Sequence, residues 1–126
     1  MKKSIFAIIL ISAIAFACKK EDNNPKITIT IQAPVEGFTC MSGDTVQIKA
    51  AITSVNDLHE YGCLVTNPAT NDTLFNFSEH SHDKSVNLEK KVVIMVTGHS
   101  DLLLTVLAED HDENSAKATR SFHCHH

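Results

Sequence analysis

The chain has 126 residues with 11 Lys and Arg against 15 Asp and Glu. Removing Met1 to Ala17, for the reason given below, leaves 109 residues and moves the formal charge from −4 to −6. That is one ordinary domain with too little chain for two cores, and its acidic balance without a basic stripe excludes a nucleic-acid partner. Four Gly and three Pro, with apolar residues that alternate rather than cluster, exclude collagen-like, coiled-coil and disordered classes.

Met1-Lys2-Lys3-Ser4 places positive charge ahead of an apolar run from Ile5 to Ala17. This is the layout of a secretory signal peptide, and the run is too short to remain as a bilayer-spanning helix. It ends in Phe16-Ala17-Cys18, which resembles the lipobox of bacterial lipoproteins. The resemblance implies cleavage before Cys18 and acylation there, hence a membrane partner through the lipid anchor. Residues 18–25 then form a polar tether, and Lys20-Glu21-Asp22 within it resembles the short signal that sends Bacteroidota lipoproteins to the outer face of the outer membrane.

From Lys26 the apolar period is two, so residues 26–126 are expected to form an all-β domain. Ile27, Ile29 and Ile31 mark the first strand, and Val46, Ile48, Ala50 and Ile52 the second. Tyr61, Cys63 and Val65 mark the third, and Phe75 and Phe77 the fourth. The fifth runs from Val86 to Val96, with Lys90 breaking the inward row. Leu102, Leu104, Val106 and Ala108 make the sixth. Ala116, Ala118 and Phe122 make the seventh, where Arg120 has the wrong parity and suggests an edge or a bulge. Ser42-Gly43-Asp44, Asn67-Pro68, Thr97-Gly98 and Asp110 to Asn114 are the turn signals between them.

Seven short strands at this spacing suit a two-sheet sandwich. Leu104 to Asp110, a turn, then Ala116 to Phe122 resembles the last hairpin of bacterial immunoglobulin-like and fibronectin-III-like modules, and Ser42 to Val46 resembles the approach to their second strand. The resemblance implies an immunoglobulin-like β-sandwich. There is no Trp on the third strand and no Cys on the sixth, so an antibody-type core disulfide is not expected. Such modules serve adhesion, ligand binding or spacing, and the fold does not choose among these.

Apart from Cys18, three cysteines remain in a disulfide-permissive compartment. Alternating strand direction brings the start of the second strand and the end of the seventh to one pole, so Cys40 and Cys124 are placed to meet. Closing that loop would contribute roughly 4 kcal/mol in the chain-entropy picture. The alternative for these thiols is to stay free or to bind metal. Cys63 shares parity with Val65 and reads as a small core residue.

Eight histidines outnumber the seven aromatic residues. His59, His80, His82 and His111 are expected at the pole opposite Cys40, among Glu60, Glu79, Asp83, Glu109, Asp110, Asp112 and Glu113. Imidazoles ligate Zn(II) or copper, and carboxylates can orient them from behind. A second candidate set is His123, Cys124 and His125, with His99 at the same pole. Neutral imidazole is the ligand form, so affinity is expected to fall as pH drops through about 6.5.

The spacing matches no finger motif, and Ser81 between His80 and His82 is adjacency rather than a catalytic triad. The expected function is therefore a non-catalytic, lipid-anchored envelope binding or accessory module with Zn or Cu as its candidate ions. The whole chain resembles the small lipoproteins of Bacteroidota. A metal-trafficking or metal-sensing protein is the first alternative and a surface hydrolase the second. A protein or glycan ligand stays open, although the lack of Trp argues against a flat carbohydrate platform. Asp44-Thr45-Val46 and Asp72-Thr73-Leu74 resemble Bacteroidota O-glycan acceptor sites.

Overall fold

The computed structural model describes residues 25–126; the signal segment, Cys18 and Lys20-Glu21-Asp22 lie outside the described residues. The described residues form eight strands: β1 (Ile27–Ala33), β2 (Thr39–Met41), β3 (Thr45–Ser54), β4 (Leu58–Asn67), β5 (Asp72–His80), β6 (Ser85–Val93), β7 (Ser100–Asp110) and β8 (Ser115–His125). They form a three-stranded sheet in the order β1-β3-β6 and a five-stranded sheet in the order β2-β8-β7-β4-β5. The strand count corrects the seven expected. β2 is three residues long and pairs in parallel with the end of β8, so it has no room for an alternating pattern.

Alternation accounts for the core. Val46, Ile48, Ala50 and Ile52 of β3, with Leu88 and Val92 of β6, face Cys63 and Val65 of β4 and Leu102, Leu104 and Val106 of β7; all are buried. Each such aliphatic side chain contributes about 1.5–3 kcal/mol when withdrawn from water. The strand expected to run to Val96 ends at Val93. Ile94 and Val96 stay buried in irregular chain, where Gly43 N donates to Ile94 O at 2.7 Å and Ser42 Oγ donates to Val96 O at 3.0 Å.

The two residues of wrong parity sit where the sandwich opens. Lys90 turns inward and its Nζ lies 3.7 Å from the centroid of Phe77 on the facing sheet, a cation–π contact. Arg120 donates from both terminal nitrogens, to Pro34 O and to Ile31 O at 3.3 Å each, and so ties β8 to the end of β1. The β7–β8 ladder runs through Arg120 without a break, so the bulge is not there. The edge reading holds for Ser115–Phe122, which pairs with β7 alone.

Register fixes the two poles. On β7, Ser100 pairs with Cys124 and the opposite end, Asp110, pairs with Leu58. Ten residues of strand separate these ends by about 33 Å. Gly62 makes the β4–β5 approach possible: a Cβ there would overlap the carbonyl oxygen of Phe77.

Candidate metal centre

The first pole gathers His59, His80, His82 and His111, as expected. His59 is the extra residue of a bulge, since the β4–β7 register slips between Leu58 and Glu60. A bulge re-aims its side chain, and here it sets the His59 ring between two others. Its centroid is 4.5 Å from that of His80 and 4.9 Å from that of His111, and His111 lies parallel to His82 at 5.3 Å. His80 Nδ1 donates to the His59 carbonyl at 2.5 Å, which leaves Nε2 of His80 as its lone-pair nitrogen. His111 Nε2 and His82 Nδ1 are 3.2 Å apart. Nδ1 of His59 is buried without a hydrogen-bond partner.

The turn that carries His111 is built on Asp110, which is 1% exposed. Its carboxylate accepts from the Asn114 side chain and backbone and from the Asp112 backbone, each at 2.9 Å, and from Asn56 at 3.2 Å. Burial works against its charge, but these four bonds outweigh burial and hold the carboxyl below the usual range. Asp110 is thus the internal anchor of the turn, not a carboxylate that orients an imidazole. Glu79 is also engaged elsewhere, accepting from Tyr61 Oη at 2.9 Å. Ser81 is buried and its Oγ accepts from Asp83 N at 3.0 Å, so the hydroxyl flanked by two histidines caps a bend.

The second pole is tighter. Among the described residues, His99, His123 and His125 each bring one ring nitrogen to within 4.8 Å of the other two. Nδ1 of His125 and Nδ1 of His99 are 3.2 Å apart. The edge of a tetrahedron of nitrogens at metal distances of ~2.0–2.1 Å is ~3.3–3.4 Å, close to the separation of this pair. His123 Nδ1 donates to Asp101 Oδ1 at 2.7 Å, which fixes its tautomer and leaves Nε2 as the nitrogen with a free lone pair. A carboxylate behind a ligating imidazole is the usual support of such a ligand.

Cys124 does not belong to this set. It shares the inward face of β8 with Phe122 and is 0% exposed, whereas His123 and His125 project from the other face. Period-two alternation forces that division, and His99 takes the place expected for the thiol. Cys40 and Cys124 nevertheless stand in register across β2 and β8, as buried thiols side by side. Burial, then the hydrogen bond and charge interaction with Cys124, push the Cys40 thiol up to about 12. Burial pushes Cys63 up to about 11. Neither is a ready thiolate for metal or for nucleophilic attack at neutral pH. Thr45 and Thr73 are both exposed.

No protein-family model matches the chain, and no curated protein is similar to it. Among solved structures it is similar to a chain from "Structures of Clostridium thermocellum CbhA fibronectin(III)-like modules", with a TM-score of 0.50 and 16% identity over 77% of this chain and 94% of that one. The described domain has the fibronectin-III-like form of the immunoglobulin β-sandwich. At this identity the likeness concerns the fold alone.

Proposed function

We propose that the protein is a non-catalytic, lipid-anchored module of the bacterial outer membrane, facing the cell exterior, that holds a transition metal, Zn(II) or copper, at His99, His123 and His125. The observation that carries the reading is that three imidazoles each bring a ring nitrogen within 4.8 Å of the other two, with Asp101 accepting from His123 Nδ1. Three protein ligands leave a fourth coordination position for water, a partner's side chain or a further residue. That opening also favours the second reading, in which the module passes its ion to another envelope protein, because an exposed three-ligand site exchanges its metal more readily than a closed one.

The anchor and the triad lie at opposite ends in this reading. Lys26 O accepts from Val55 N at 2.9 Å, so the chain reaches β1 at the pole of His59 and His111. With a lipid at Cys18, eight residues ahead of Lys26, the His59 pole faces the membrane and the triad faces away from it.

The test uses the protein as it is exported. Membranes carrying the wild type, Cys18→Ser and a His99→Ala/His123→Ala/His125→Ala variant are fractionated, and the purified proteins are assayed for bound metal. The reading expects Cys18→Ser to leave the membrane fraction with its metal, and the triple variant to stay anchored without it. Retention of Cys18→Ser on membranes removes the anchor from the account, and equal metal content in the triple variant removes the triad.

A further inference from the structure

Met41 is a large apolar residue left 52% exposed. Its place is fixed on both sides: Met41 N donates to Asp44 Oδ2 at 2.9 Å, and Asp44 N donates back to Met41 O at 3.0 Å. The next residue, Ser42, donates its N–H to His125 O at 2.7 Å. Met41 is in register with His125, as Cys40 is with Cys124. The two cysteines turn into the core, so alternation turns Met41 and His125 outward together. Adjacent strands are about 4.8 Å apart, and an unbranched thioether with three rotatable bonds spans that gap to a point over the neighbouring imidazole.

Resting on the metal reading above, we infer that the site at this pole is a copper site, with Met41 as the fourth ligand beside His99, His123 and His125. Zinc sites are built from thiolate, imidazole and carboxylate. Here the thiols face the core, and the Asp101 carboxylate is taken up by the bond from His123 Nδ1. The remaining side chain placed by register is a soft, neutral sulfur, the donor type that selects Cu(I). Imidazoles in turn suit Cu(II) and Zn(II), so the thioether is what separates copper from zinc. This gives the exposed methionine on a three-residue strand a role the fold alone does not supply.

The test compares the wild type, Met41→Leu and Met95→Leu as full-length proteins in mild detergent. Met95 is 67% exposed and lies outside this strand pair, so it controls for a general effect of methionine loss. Cu(I) affinity is measured anaerobically by competition with a coloured Cu(I) chelator, Zn(II) affinity by calorimetry, and the copper environment by X-ray absorption. Met41→Leu should lose at least tenfold in Cu(I) affinity and the sulfur scatterer, while its Zn(II) affinity and all properties of Met95→Leu stay at wild-type values. Equal Cu(I) affinity in wild type and Met41→Leu, or an equal loss in Met95→Leu, overturns the copper assignment and leaves the histidine site standing. Absence of both Zn(II) and copper binding in the wild type overturns the metal reading and the assignment together.

Discussion

Replacing Asp110, the last residue of β7, by Ala should strongly destabilise the domain. The carboxylate accepts four hydrogen bonds, three at 2.9 Å and one at 3.2 Å, and is 1% exposed. Hydrogen bonds to a charged group contribute about 1.5–3 kcal/mol each, but donors that water can reach recover much of the loss. Counting two of the four at the lower figure gives about 3 kcal/mol. For a domain of about 100 residues that corresponds to a fall of about 10–20 °C in Tm. The effect has a defined pH course. The native carboxyl titrates below its unfolded value of about 3.9, so the unfolded state binds more protons in that range. The stabilisation is complete above the unfolded value and is lost as the pH falls through the native one. Thermal melts followed by far-ultraviolet circular dichroism at pH 7, 4 and 2 should therefore show a wide gap between wild type and Asp110→Ala that narrows with acid. A Tm difference under about 3 °C at pH 7, less than 1 kcal/mol for a domain of this size, or a gap unchanged at pH 2, would refute the reasoning.

Gly62→Ala drives a methyl into the Phe77 carbonyl oxygen and must push β5 from β4; chemical denaturation should show a loss of about 1–3 kcal/mol, the usual cost of overpacking. Oxidised protein should carry a Cys40–Cys124 bridge and an unpaired, slowly alkylated Cys63, read by non-reducing peptide mass spectrometry; a Cys40–Cys63 peptide would contradict the register of β2 with β8. Relative to its reduced form the bridged domain should gain about 4–5 kcal/mol in the chain-entropy picture, read as a shift in denaturant midpoint. His59→Phe should keep the ring packing against His80 and His111 while removing the buried, unpartnered Nδ1, so a small rise in Tm is expected, and a fall of several degrees would show that this nitrogen has a ligand or water in solution.

Much of the fold was legible because alternation in the long strands reports burial directly. Ile48, Val65 and Leu104 were placed in the core by parity alone, and the strand-direction argument brought Cys40 to Cys124 and His59 to His80, His82 and His111. Lys90 and Arg120 stood out as breaks in the pattern. Their roles depend on Phe77, Pro34 and Ile31, which belong to other strands and have no fixed offset in sequence. β2 was missed because three residues carry no period, and with it the alignment of Met41 on His125. The inward turn of Cys124 could have been read, since Phe122 was already assigned to the core and shares its parity. The pairing of His99 with His125 could not, because it rests on the β7–β8 register that sets Ser100 against Cys124. Asp110 continues the inward parity of Leu102, Leu104, Val106 and Ala108, so its burial is legible in the sequence, whereas its four donors are not.

The most direct measurement of the metal reading is calorimetric titration of the full-length protein in mild detergent with Zn(II) and with Cu(II), repeated on His123→Ala/His125→Ala and on His80→Ala/His82→Ala. A site tighter than about 10 μM, worth about −7 kcal/mol, should be present in wild type and in the His80/His82 variant and absent from the His123/His125 variant. Tight binding that survives loss of His123 and His125, or a wild type that binds neither ion at that level, would contradict the account.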